Sequence, residues 1–319
     1  MNRILVVGAG AVGGYFGGRL LEVNRDVTFL VRRGRADQLA RSGLRIRSRF
    51  GDVTISAPPA TVAENLAGPF DLVLMSCKAY DLEDAMTSIA PAVGPRTAIL
   101  PLLNGMRHLQ VLANSFGQEC ILGAQCVIAA TLNPEHEVVH LNGTHSLTFG
   151  ELDGTISDRV NDIQKLMGGA RFEGRASSEV MLDMWEKWVF LATVARANCL
   201  MRSALGEISS SPGGLEFLLR LFEECRSIAI AEGYSPRQAF IEQARKMLTE
   251  AGSPFTTSML RDMESGGRIE ADHVIGDLLE RGRQNQLLHR DLELLPIAYT
   301  HLKAYEVRRQ GSTPADLHG

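Results

Sequence analysis

"RILVVGAGAVGG", residues 3–14, decides the fold of the N-terminal half. A short β-branched run ends in Gly8, Gly10 and Gly13, set in a G-x-G-x-x-G frame, and a helical pattern, "AVGGYFGGRLLEV", follows at residues 11–23. Gly8 allows a tight turn, Gly10 lets a pyrophosphate approach the backbone, and Gly13 lets the helix pack closely on a sheet. The helix N-terminus adds N–H groups and the positive end of a dipole. With Ala9, Ala11 and Val12 between the glycines, residues 8–13 are the expected cradle of a dinucleotide. The frame by itself is a weak signal, and its strand–turn–helix context is what gives it weight.

Working outward, apolar runs "DVTFLV" (26–31), "DLVLM" (71–75), "TAILPLL" (97–103) and "CVIAAT" (126–131) alternate with helical patterns. Such alternation predicts a mostly parallel sheet covered on both faces. "LRIRSR" and "DVTIS" flank Phe50-Gly51 and read as a hairpin-like pair. The second strand ends "FLVRRGR", with Arg32, Arg33 and Arg35 where NAD-preferring versions of this fold carry an acid. A guanidinium grips a 2′-phosphate that a carboxylate would repel, so NADP(H) is the expected cofactor, with Arg32 on that phosphate. Two further strands run into polar residues at their carboxyl ends, where ligands of open parallel sheets bind: Ser76 and Lys78 in one, Asn104 and Gly105 in the other.

After about residue 174 the β signals fade, and long helical patterns occupy 176–201, 213–232, 236–251 and 269–309. The expected domains are 1–174, an α/β dinucleotide-binding unit of Rossmann type, and 175–319, an all-α unit, with a frayed tail at 311–319. The first of these helices, "MWEKWVFLATVARANCLM" (184–201), is apolar apart from a few residues, and Lys187 shares a stripe with Leu191, Val194 and Asn198. Only five of the 33 basic residues are lysines, so arginine serves wherever charge alone is needed. Lysine can give up a proton near neutral pH and arginine cannot. A cation or proton donor must wait wherever hydride addition leaves negative charge on a carbonyl oxygen.

Composition narrows the partners. The 319 residues are 45% hydrophobic and 22% charged, with a formal charge of −4, which gives no electrostatic reason to expect nucleic acid or an anionic membrane. Five scattered cysteines without a C-x-x-C pair suit a reducing cytoplasm and support neither a disulfide framework nor a structural metal. No uninterrupted apolar run approaches the ~20 residues that span a bilayer. His136 and His140 in "HEVVH" would share a face only on a helix, and the β-branched content predicts a strand, so no metal is expected.

The segments "GAGAVGGYFGGRL", "FLVRRG", "SCKAYDLEDAM", "LLNGM", "MWEKW" and "SMLRDMESGGRIEAD" together resemble the ketopantoate reductase (2-dehydropantoate 2-reductase) family over nearly the whole chain. The resemblance implies a Rossmann domain followed by a helical domain like that of 6-phosphogluconate dehydrogenase, with the site in the cleft between them. It implies NADPH-dependent reduction of a 2-oxo acid, as in pantothenate biosynthesis. Under it Lys187 falls on the catalytic lysine, which donates a proton to the carbonyl oxygen. Glu270 falls on the acid that orients the substrate hydroxyl and contacts the cofactor side, and Ser258 on a serine that binds the substrate carboxylate. Asn104 and Lys78 match residues near the nicotinamide, Asn104 also facing substrate. Arg32 matches the 2′-phosphate ligand, and Ala129 is a backbone-type cofactor match.

Four positions depart from the family pattern. Asparagines usual one and two turns beyond the lysine are Leu191 and Ala195 here, the one before Ser258 is Phe255, and the polar residue before "GE" is Leu205. Asn198 lies about 16 Å of helix rise from Lys187, too far to replace them. The expected reaction is therefore reduction of ketopantoate or of a related, more apolar 2-oxo acid, since a pocket without those amides no longer rewards a substrate hydroxyl. The alternatives are a non-catalytic NADP(H)-binding sensor and an enzyme of the β-hydroxyacid dehydrogenase type. A homodimer has no residue signature here, although one through the helical domain would be unsurprising.

Overall fold

The computed structural model describes residues 2–287 and 291–311. The tail expected to fray lies outside them beyond Gly311. The first half runs β1 (Arg3–Val7), α1 (Ala11–Glu22), β2 (Asp26–Leu30), α2 (Arg33–Ser42), β3 (Leu44–Arg47), β4 (Val53–Ile55), β5 (Ala60–Thr61), β6 (Leu72–Met75), α3 (Leu82–Ile89), β7 (Ala98–Pro101) and α4 (Arg107–Phe116). It closes with β8 (Gly123–Leu132), β9 (Val138–Gly150), α5 (Asp158–Met167) and β10 (Glu173–Ala176).

The apolar runs around the glycine turn form a parallel sheet in the order β5-β2-β1-β6-β7. β6 and β7 are buried along their whole length, as parallel strands covered on both faces must be. The strand order reverses at β1, so the crevice beyond the carboxyl ends of β1 and β6 is the switch point where such sheets bind ligands. Gly17 and Gly18 let α1 lie close to its neighbours: a Cβ would stand 2.6 Å from the Phe29 ring at Gly17 and 2.7 Å from Ile46 at Gly18.

The single-sheet expectation needs correcting. β3 and β4 do pair antiparallel across Gly51, as their spacing predicts. They belong, however, to a second, mixed sheet ordered β10-β9-β3-β4, with β8 antiparallel to β9. "HEVVH" leads into β9 as the strand reading expects, with His136 in a turn at φ +59° and His140 inside the strand.

The second half is helical: α6 (Val180–Met201), α7 (Leu205–Ser210), α8 (Gly214–Ala231), α9 (Gln238–Leu248), α10 (Ser258–Glu264), α11 (Asp277–Gln284) and α12 (Leu294–Gly311). The helix expected over 269–309 is broken, with a π-turn at Asp272–Gly276 ahead of α11. The chain separates into two compact units, one reaching Leu103 and including Arg107–Asp183, the other made of Asn104–Met106 and the chain from Met184 onward. The division falls inside α6 instead of after residue 174, because β10 and the first turn of α6 pack with the first unit: Ser177 donates to Asp183 at 2.6 Å. No described helix is long and apolar enough to cross a membrane.

Candidate active site

In the first unit the glycine turn demands glycine at two of its three positions. Gly8 has φ +92°, and a Cβ at Gly13 would stand 2.1 Å from Ser76 Oγ and 2.2 Å from the Gly8 carbonyl oxygen. A Cβ at Gly10 would meet nothing within 4 Å, so this stretch of backbone faces open space. Gly10 caps α1 without a side chain, and the first turn of α1 carries no acid. Uncapped N–H groups, a dipole end and open room suit a diphosphate. Ala9, Ala11 and Val12 complete the turn.

The polar residues around this turn divide into scaffolding and surface. Ser76 donates its hydroxyl to the Val7 carbonyl at 2.7 Å, fastening β6 to the end of β1. Arg35 places Nε and Nη2 on the Ala9 carbonyl at 3.1 and 2.7 Å, and burial pushes its guanidinium below arginine's ordinary pKa. Arg32, at the head of α2, is open to solvent and pairs with Asp81 at 3.1 Å. Lys78 follows β6 and is half-buried. Ala129 lies in β8, which packs on α1, where a register shift lets its N–H donate to Asn142 Oδ1 at 3.1 Å.

Arg32 and Arg35 therefore predict different losses. Arg35→Ala, by freeing the Ala9 carbonyl, weakens NADPH and NADH alike, by roughly tenfold for a lost charged hydrogen-bond pair. Arg32→Ala weakens only the cofactor that carries a 2′-phosphate. Fluorescence titration of each variant with both nucleotides checks this, and equal losses from the two variants would contradict it.

In the second unit, Lys187 Nζ donates to Asn104 Oδ1 at 3.0 Å. Asn104 reaches it because residues 104–106, though they follow β7, cluster with the helical unit. Gly105 has φ +79°, and a Cβ there would stand 2.7 Å from the His273 carbonyl oxygen, so the loop rests directly on the π-turn. Trp188 Nε1 donates to the Val274 carbonyl at 2.9 Å, tying the same π-turn to α6. Glu270 is buried just ahead of that turn, and its carbonyl accepts Val274 N–H at 3.0 Å. The fold thus gathers Lys187, Asn104 and the Glu270 segment about one turn of α6.

Gly105→Ala strains this loop through its φ and its contact with His273 together. About 1–3 kcal/mol of strain is expected to shift Asn104 off the lysine and lower kcat/KM roughly 10- to 100-fold, with the thermal midpoint falling by a few degrees; steady-state kinetics and a melting curve check it.

Ser258 opens α10. Asn198 neither joins the lysine nor lines a ligand space: it is fully buried, accepts Thr257 N–H at 2.9 Å and donates to the Ser203 carbonyl at 2.8 Å, fixing the turn that presents Ser258. Phe255 precedes that turn, its carbonyl accepting Leu205 N–H at 3.1 Å. Leu205 and Ala195 are buried, while Leu191 is half-buried. Sequence reasoning named Gly105 only beside Asn104 at a strand end, and it missed Trp188 and Phe190. Only Trp188, next to the lysine on an otherwise apolar helix, offered any signal. Among the described residues no group of His, Cys, Asp or Glu is placed to hold a metal.

A parallel sheet ending in a dinucleotide turn, joined to a helical unit that carries a lysine–amide pair, defines a nicotinamide-dependent oxidoreductase. A family model described as ketopantoate reductase PanE/ApbA matches residues 4–154, and one described as its C-terminal part matches residues 179–306. The oxidoreductase YkpB of Bacillus subtilis (strain 168) is 35% identical over 96% of this chain and 100% of its own. A 2-dehydropantoate 2-reductase of Halobacterium salinarum is 26% identical over 89% of this chain and 93% of its own. The crystal structure of the Methylococcus capsulatus 2-dehydropantoate 2-reductase superposes with a TM-score of 0.85 at 26% identity, covering 97% of this chain and 98% of that one. D-mandelate dehydrogenase, solved with NADH and anilino(oxo)acetate, shares the fold at TM-score 0.86 and 18% identity, over 97% of this chain and 99% of that one. The chain belongs to the ketopantoate reductase family and is an NAD(P)H-dependent oxidoreductase.

Proposed function

We propose that the protein reduces a 2-oxo acid to the 2-hydroxy acid with NADPH, the substrate being 2-dehydropantoate or a related acid with a more apolar side chain. The observation that supports this most is the 3.0 Å hydrogen bond from Lys187 Nζ to Asn104 Oδ1. Residues 8–13 would hold the diphosphate and Arg32 the 2′-phosphate. When bound, the reduced nicotinamide supplies a hydride to the substrate's carbonyl carbon.

The chain's own part is charge and proton management. Asn104 accepts one N–H of the Lys187 ammonium and so fixes the direction of the other two. One of these donates to the carbonyl oxygen and passes its proton there as negative charge develops. Ser258 holds the substrate carboxylate through its hydroxyl, and Glu270, buried just ahead of the π-turn, orients the substrate hydroxyl. Reading Leu191 and Phe255 as substrate neighbours makes the side-chain end of the pocket apolar.

The test is NADPH consumption with purified protein across a panel of 2-oxo acids that includes 2-dehydropantoate and pyruvate. Turnover of at least one acid with stoichiometric 2-hydroxy acid is the expected result. Tight NADPH binding without turnover of any acid would favour a sensor instead.

A further inference from the structure

Between Asp183 and Cys199, α6 is fully buried except at Lys187, Phe190 and Leu191. Phe190 and Leu191 stand three and four residues beyond the lysine, so all three share one face of the helix. The helix therefore opens a single window, with one ammonium and two large apolar side chains in it.

A second aromatic closes onto this window. The Phe255 ring meets the Phe190 ring edge to face, with centroids 5.9 Å apart and planes at 80°. Phe255 keeps 36% of its surface exposed, which a pair serving only to fill the core would not do. Its backbone is pinned on both sides, by Leu205 N–H on its own carbonyl and by Asn198 on Thr257 N–H. The backbone that carries the ring is thus fixed and the ring itself rests on Phe190, and a preorganised surface loses little entropy on binding.

Resting on the 2-oxo acid reading above, we propose that Phe190 and Phe255 form the specificity wall of the site and that the preferred substrate is an aryl 2-oxo acid, of the arylglyoxylate or arylpyruvate type. A perpendicular pair of rings offers a face and an edge to a third ring, in the offset or T-shaped contacts that aromatic groups favour. Apart from Lys187, the window on α6 carries no side-chain hydrogen-bonding group, so a hydroxyl on the substrate's side chain finds no partner there and is desolvated without return. Leu191 adds an apolar flank suited to a flat ring.

The experiment compares kcat/KM for phenylglyoxylate, phenylpyruvate, 2-dehydropantoate and pyruvate with the full-length enzyme and NADPH. It uses wild type, Phe255→Leu, Phe255→Asn and Leu191→Asn, and adds calorimetric titration with the product acids mandelate and 3-phenyllactate. Wild type is expected to favour an aryl acid over 2-dehydropantoate by roughly 10- to 100-fold. Each Phe255 variant is expected to lower the aryl-to-pyruvate ratio about tenfold, mainly through KM, and to weaken calorimetric binding of the aryl products in step. Leu191→Asn is expected to move the ratio toward 2-dehydropantoate. Preference for 2-dehydropantoate in wild type, or equal losses on all acids in the Phe255 variants, would overturn the aromatic wall and leave the 2-oxo acid reading standing. Silence on every acid would overturn both.

Discussion

Lys187→Ala is expected to lower kcat roughly 10²- to 10⁴-fold, the range a positioned general acid contributes, while NADPH affinity stays as in wild type. Lys187 lies in the helical unit and the phosphate turn in the other, and the lysine's proposed work is on the substrate's carbonyl oxygen, so cofactor affinity serves as the control. The loss falls on kcat, because proton delivery matters only once charge has begun to build on the carbonyl oxygen. Lys187→Arg is not expected to rescue turnover. Its guanidinium keeps the charge and can still meet Asn104, yet it does not give up a proton near neutral pH. Single-turnover NADPH oxidation gives the chemical step, and quenching of protein fluorescence gives cofactor affinity. An alanine variant within tenfold of wild type would remove the lysine from the proton path, whatever its distance from Asn104.

What could be read in the sequence divides along physical lines. The β1–α1 turn was legible because glycines with forced backbone geometry leave a local mark, and Gly8 and Gly13 are needed for the reasons their spacing implies. α6 was legible because a helix repeats its faces every few residues, although the lysine's end of that stripe is half-buried at Lys187 and Leu191 and not interior. β9 was only half legible. The β-branched residues of "HEVVH" marked its start, but nothing local marks the irregularity between His140 and His145 through which the 13-residue strand continues. The π-turn left no mark either, since the residues of 269–284 keep an ordinary helical pattern and only the packing of Gly105 and Trp188 on 273–274 shows what the irregular turn is for. Asn104 was placed by its strand end. That its loop joins the helical unit depends on contacts more than eighty positions away.

Arg196 belongs with these long-range features, and its removal is expected to have the largest effect on stability. Local sequence shows only an arginine on an apolar helix. The structure buries it completely, with Nη1 2.8 Å from Glu224 Oε2, Nη2 on the Leu221 carbonyl and on Cys225 Sγ, and Nε on the Ala192 carbonyl. Glu224 in turn accepts Leu294 N–H at 2.7 Å, so the pair joins α6, α8 and the start of α12. Arg196→Met leaves a buried carboxylate without its partner and is expected to cost about 3–5 kcal/mol. Glu224→Leu strands the guanidinium at a similar cost. The double variant is expected to lose less than either single one, because a buried ion pair exchanged for apolar groups of like volume gives up attraction and desolvation together. The protein's two tryptophans, Trp185 and Trp188, both lie on α6, so their fluorescence during urea unfolding follows this unit. Single variants within about 1 kcal/mol of wild type would mean that water reaches the pair. Additive losses in the double variant would mean that the two side chains act through separate neighbours and not through each other.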